Sequence, residues 1–332
     1  MIKISSGKNK SINDLKEEFY NLLNPKNKNG LYHKTNSIHG RLLNLINSKK
    51  RSIYIKYYNY LSANLKAIIT NEPQTLLKHF EKLRKISKKH KLKLQMLNSD
   101  LSTVFNYESF RSGKVAKWLI EELDITTCPY CNRQYIFFIR EGDKSKLFND
   151  FDHYFTKSKY IILSLSFYNL IPCCSSCNSR TKHATIFSLS NYLHPYFDSF
   201  NDILTFSTDI KNSKIFFDNP CDIKIGFVNN ILKKPTQDDV KRARKTAAIF
   251  RLEPLYNKHK DIIRELLQKN MTYNETYIND LLRNNSKIFK DRADIYKMII
   301  GNYVADNEIH KRPLAKFMKD IANEFKLLPL NL

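Results

Sequence analysis

Two Cys-x-x-Cys pairs, Cys128/Cys131 and Cys174/Cys177, are the residues of this chain best suited to chemistry. Two such knuckles joined by a long connection offer four thiolates, the set that closes a tetrahedral zinc site. The N-terminus, MIKISSGKNKS, carries no apolar leader, so a reduced compartment and a metal are expected rather than disulfides. Between and after the pairs lie Asp152-His153, then Asn169, then Asn178 directly after Cys177, then Lys182. A neutral histidine near pH 7 can accept a proton. Carboxylate and amide oxygens suit a hard divalent cation, and two such ligands leave positions open for water and substrate. These parts suit hydrolysis of a phosphodiester bond. Lys182, four residues beyond Asn178, shares its helical face and is placed to clamp a phosphate. The cysteine pairs alone would also fit a non-catalytic zinc module that binds nucleic acid, but such a module has no need of the Asp-His and Asn set.

The order Cys-x-x-Cys, Asp-His, Asn-Leu, Cys-x-x-Cys-Asn, Lys resembles the HNH, or ββα-metal, endonuclease family over residues 125–185. It is closest to the branch in which two cysteine pairs brace the hairpin and helix. The resemblance implies His153 as general base, Asp152 and Asn178 as ligands of a catalytic Mg²⁺ or Mn²⁺, and Asn169 as the middle, structural Asn. It also implies structural Zn²⁺ on Cys128, Cys131, Cys174 and Cys177. There are departures. The family often has a Gly-rich or Pro-containing stretch after the Asp-His pair, and here Tyr154-Phe-Thr-Lys-Ser-Lys159 follows. The last motif position is Asn178 where other branches have His, which favours Mg²⁺ or Mn²⁺ over a softer metal. Cys173 offers itself beside Cys174, but spacing to Cys177 favours Cys174. Cys173 and Cys221 then read as ordinary buried thiols. Around this core, Trp118 to Tyr135 and His194-Pro195-Tyr196 resemble large HNH proteins of bacterial antiphage systems, Septu-type and retron-linked. That resemblance implies a partner ATPase gating cleavage. His194 is a candidate site group, with a turn histidine before proline as the plainer reading.

The elements that must position these residues are mostly helical. Ser11-Ile-Asn-Asp14 has the form of a capping box opening a helix with Leu15, Phe19, Leu22 and Leu23 on one face. Helices are expected near 36–70, 73–97 and 109–123. A hairpin is expected from Tyr135 to Phe155, turning at Glu141-Gly-Asp-Lys144, and the helical period resumes near Ser175. A regular strand sends neighbours to opposite faces, so Asp152 and His153 facing one helix would require a distortion there. Strands are expected at Leu204-Thr-Phe-Ser-Thr, Lys214-Ile-Phe-Phe and Asp222 to Val228. Pro235-Thr236 then caps a helix to about Arg251, with more helices over 254–325. The expected fold is α+β, a helical chain around a zinc-bound ββα-metal core with a small antiparallel sheet. Its regions are 1–125, 126–195 and 196–332.

Charge and composition fit this frame. Lys and Arg number 56 against 32 Asp and Glu, a net charge of +24 over 332 residues, and 42% of residues are hydrophobic. The excess implies a polyanionic partner, with DNA the expected one. A lysine-rich codon bias would raise Glu as well, and the acidic residues do not keep pace. Basic runs at Lys82–Lys93 and Lys241–Lys245, and the Tyr/Lys mixture at 54–60, would widen a sequence-independent contact surface. No run of eighteen apolar residues occurs, so no membrane span and a cytoplasmic location are expected.

Overall fold

Caps written into the sequence start the first and the ninth helix. Ser11 and Asp14 exchange side-chain and backbone hydrogen bonds at the start of α1 (Ile12–Leu23), which buries Leu15, Phe19, Tyr20 and Leu23. Thr236 accepts from the Asp239 amide at the start of α9 (Gln237–Ile249). The computed structural model describes residues 2–5, 7, 9–48, 53–141, 144–210 and 223–329.

The N-terminal part holds α1, α2 (Ile38–Ile46), α3 (Ile55–Ala63), α4 (Leu65–Thr70), α5 (Pro73–Lys89), α6 (Leu94–Phe105), α7 (Tyr107–Ser112) and α8 (Lys114–Leu123). The long helices expected at 36–70, 73–97 and 109–123 are thus each divided. Lys91, at φ 50°, separates α5 from α6, and Asn106, at φ 42°, separates α6 from α7. A residue in the left-handed region cannot continue a right-handed helix. Gly113 separates α7 from α8 in an extended conformation. A Cβ there would lie 2.7 Å from the Ser109 carbonyl, which explains the glycine.

Three two-stranded antiparallel sheets follow. β1 (Phe138–Glu141) pairs with β2 (Lys144–Leu147) around the expected turn. β3 (Asp150–His153) does not extend that hairpin. It pairs with β4 (Leu170–Cys173), in the register Asp150 to Cys173, Asp152 to Ile171 and His153 to Leu170. β5 (Leu204–Ile210) pairs with β6 (Ile223–Asn229). The strand expected at Lys214–Phe217, and Cys221, lie outside the described residues. The C-terminal part is α9, α10 (Leu252–Tyr256), α11 (Lys260–Thr272), α12 (Glu275–Asn284), α13 (Arg292–Ile300) and α14 (Ala315–Glu324). The fold is α+β.

One buried apolar cluster draws on all three expected regions, with Phe19, Ile68 and Leu119 from the first, Phe151, Leu170 and Cys177 from the second, and Phe206, Tyr256 and Phe317 from the third. No helix among the described residues is long and apolar enough to cross a membrane.

The first cysteine knuckle and the residue after it are gripped from both sides of the sequence. Ile2 N donates to the Pro129 carbonyl at 2.7 Å. Asn132 is buried at φ 48°. Its side chain donates to the Ile309 carbonyl and accepts from Lys316 N, while its own carbonyl accepts from Leu314 N.

Candidate functional site

Cys128, Cys131, Cys174 and Cys177 converge, with all four Sγ atoms within 4.8 Å of one another and all four residues buried. The Cys131 and Cys174 sulfurs are 3.9 Å apart. Arg133 N points at Cys131 Sγ from 3.4 Å, and Cys177 N donates to the Cys174 carbonyl, so each knuckle turns its backbone inward. The thiol of Cys128 hydrogen-bonds to Cys131 and helps hold it well below the ordinary thiol value. A set of four buried sulfurs of this kind could hold a metal ion. Cys173 lies outside the set, buried opposite Asp150 on β4, so the doubled cysteine contributes Cys174 as its spacing suggested.

From Cys174 the chain enters a wide, π-helical segment, Ser176–Lys182, in which His183 N reaches back five residues to the Asn178 carbonyl. His183, at φ 42°, ends it. Insertions of this kind occur often where a helix serves a site. The segment lies against β3 and makes two rungs with it. Asn178 Nδ2 donates to Asp150 Oδ2 at 3.2 Å. Lys182 Nζ donates to Asp152 Oδ1 at 2.7 Å and to the His153 carbonyl at 2.6 Å. Asp150 and Asp152 are two apart, so strand alternation puts both on the helix-facing side.

Each carboxylate has a further partner. Arg111 of α7 pairs with Asp150 Oδ1 at 2.9 Å. Tyr130, inside the first knuckle, donates to Asp152 Oδ2 at 2.6 Å. Lys182 is 2% exposed, so the cation expected at a phosphate is turned inward onto protein. Asn178, expected beside Asp152, touches Asp150 instead.

His153 occupies the other face. The distortion expected at Asp152-His153 is absent, because the ladder runs through both residues and His153 has its own surroundings on the far side. Its ring lies 4.5 Å from that of Tyr107, and Nε2 is 3.0 Å from the Ser164 carbonyl. A carbonyl can only accept, so Nε2 carries the proton and Nδ1 keeps the lone pair. Burial pushes the His153 pKa down to about 4, against the pull of Asp152. The ring is therefore neutral at pH 7.

Asn169 pins the loop that follows His153. Its Oδ1 accepts from Phe155 N at 2.6 Å, and its Nδ2 donates to the Phe155 and Leu163 carbonyls. It is 1% exposed. The Leu163 contact fixes the turn that presents the Ser164 carbonyl to His153. His194 is buried away from this face against Tyr154, and its Nδ1 accepts from the Tyr196 amide at the turn before Pro195.

Asp150, Arg111, Tyr107 and Tyr130 were not among the residues singled out by sequence. Only Asp150 carried a usable signal, the two-residue spacing of Asp150-Phe-Asp152. Compared with known protein families, curated proteins and solved structures, the chain matches none.

Proposed function

We propose that this protein is a metal-dependent endonuclease of the HNH type that hydrolyses phosphodiester bonds, with DNA as the expected target. The observation that carries the reading is the setting of His153, a neutral imidazole whose Nε2–H is committed to a backbone carbonyl, leaving Nδ1 as the base. Water would give its proton to Nδ1 while its oxygen forms the new P–O bond. The leaving oxygen departs with the electron pair of the bond that breaks. The Ser164 carbonyl keeps accepting from the imidazolium formed, and Asn169 holds the loop that supplies it.

Two metals belong to this reading. For zinc the donors fit, because tetrahedral Zn–S bonds of about 2.3 Å set sulfurs about 3.8 Å apart, close to the 3.9 Å between Cys131 and Cys174. For the catalytic Mg²⁺ or Mn²⁺, Asp152 and Asn178 are the proposed ligands, joined by Asp150, which already touches Asn178. As they stand these donors do not fit the ion, because Asp152 is closed by Lys182 and Tyr130 on the face away from His153. An ion held there would have to displace Lys182, and would then supply positive charge to the attacked phosphate. The closed Asp152–Lys182 pair is the one observation favouring the second reading, a zinc-bearing module that binds nucleic acid without cutting it. A role in antiphage defence with a gating ATPase is part of the same proposal, and rests on the sequence resemblance.

The test is nicking of supercoiled plasmid in Mg²⁺ or Mn²⁺ by wild type and His153→Ala, with zinc measured in both. General-base loss is expected to slow cleavage by about 10²–10⁴-fold at unchanged zinc content. A His153→Ala protein that cuts as fast as wild type removes the assignment. DNA binding with no cleavage by either protein points to the module or to a gating partner that is missing from the assay.

A further inference from the structure

Three cavities meet along the face that carries β3. The largest, about 550 Å³, lies between α6, α7 and the loop at 157–164, and its walls include Tyr107 and Ser164, the two residues that touch His153. At Asn98, Ser158 and Ile161 it runs into a second of about 330 Å³, bordered by Arg84 and Lys88 of α5 and by Lys159. At Glu108 it meets a third of about 390 Å³, bordered by Arg111, Lys117 and Lys146, with Phe151 of β3 in its wall. Phe151 of β3 therefore lies in the wall of this groove and His153 directly behind its Tyr107 and Ser164, with cations at both ends and Lys157 between.

Among the described residues Glu108 is the only carboxylate lining the three cavities, and it is already paired with Lys157 at 3.0 Å. The other lining groups are largely hydroxyls, amides and aromatic or apolar side chains, the chemistry that follows a sugar–phosphate backbone while leaving bases free to stack. Surface pairs such as Arg84–Glu81 are weak and give way to phosphates. A duplex is a convex rod that lies on a surface, whereas cavities of this size admit one strand.

We propose that this groove is the track of a single nucleic-acid strand, entering past Arg84, Lys88 and Lys159, passing in front of His153 and leaving past Arg111, Lys117 and Lys146. The proposal rests on the nuclease reading for the meaning of His153, but not for the binding.

Anisotropy with labelled single-stranded DNA, single-stranded RNA and the DNA duplex of the same sequence, in the His153→Ala background without added divalent cation, tests it. The expected result is tighter binding of a single strand than of duplex. Arg84→Glu/Lys88→Glu at one end and Lys117→Glu/Lys146→Glu at the other should each weaken that binding by about tenfold. Lys287→Glu/Lys290→Glu between α12 and α13, an equal change of charge at exposed lysines outside the three cavities, should weaken it by less than about twofold. Melting curves show that each variant is folded. Tighter binding of duplex, a Lys287→Glu/Lys290→Glu effect as large as the groove effects, or groove variants that bind normally would each overturn the track. Wild type that binds a single strand in this way yet cuts neither that strand nor plasmid when its gating ATPase is present would overturn the nuclease reading and leave the track standing.

Discussion

The β1–β2 and β3–β4 hairpins have strands of equal length, four residues each, and almost nothing else in common. In the first, the strands follow each other closely in sequence, with Glu141 paired to Lys144, and β1 is exposed along most of its length. Arg140 makes a surface pair with Glu121. In the second, the partner strand arrives only after the loop at 154–169, and β4 is buried throughout. Its side chains reach a knuckle through Tyr130, the π-helical segment through Asn178 and Lys182, and α7 through Arg111. Ease of pairing and chemical content are separate properties. The hairpin that forms most simply lends only the edge of a cavity, at Lys146 and Leu147, and the one that depends on distant elements gathers the candidate site.

The sharpest way to break this contrast is to remove what braces the second hairpin. Structural zinc contributes binding free energy of about 10–16 kcal/mol in small zinc-dependent modules. Cys177→Ser, or chelation, is expected to produce the largest loss of stability. Hydrogen exchange should then show β3–β4 amides opening long before the protein melts, with β1–β2 amides little changed. If chelation leaves the melting temperature where it was, the second hairpin is not held by metal.

Next in size is the Lys182–Asp152 pair. Lys182→Ala leaves a carboxylate buried beside Tyr130 with one partner gone, a change expected to cost about 3–5 kcal/mol. Replacing both partners by apolar side chains, Lys182→Met with Asp152→Leu, should restore most of that stability while abolishing any activity. Urea unfolding of the two variants measures this. Equal stability of the single and double variants would mean that the pair contributes little as a pair.

Smallest is Arg140→Ala on β1. An exposed pair with Glu121 is worth about 0–1 kcal/mol, so this variant should match wild type in melting and in cleavage. A large effect here would remove the distinction between the hairpins.

Local signals in the sequence translated well. The caps at Ser11 and Thr236 are where their side chains predict. Both knuckles close on one point, because Cys-x-x-Cys fixes its own turn. The hairpin at Glu141–Lys144 also follows from its turn residues. What failed to show was anything set by partners remote in the chain. β3 was legible as a strand, but its pairing with β4 depends on a register held by Tyr130, Asn169 and the π-helical segment together. Lys182 read as a phosphate clamp because it shares a helical face with Asn178; only the fold reveals that Asp152 lies across from it. The breaks at Lys91 and Gly113 differ in the same way. Glycine at a helix break carries a visible steric reason, while lysine in a left-handed conformation has none in the local sequence.

The grip on Asn132 has a consequence for the order in which the protein can come into being. The cysteine knuckle is made early in the chain, but the hydrogen bonds that enclose the residue after it come from Ile309, Leu314 and Lys316. A ribosome must therefore translate nearly two hundred residues past Cys131 before the centre is complete. Products that stop short of residue 316 would carry every residue proposed to act on nucleic acid and still lack the finished scaffold. Unfinished copies are kept from completing that scaffold by the order of synthesis itself.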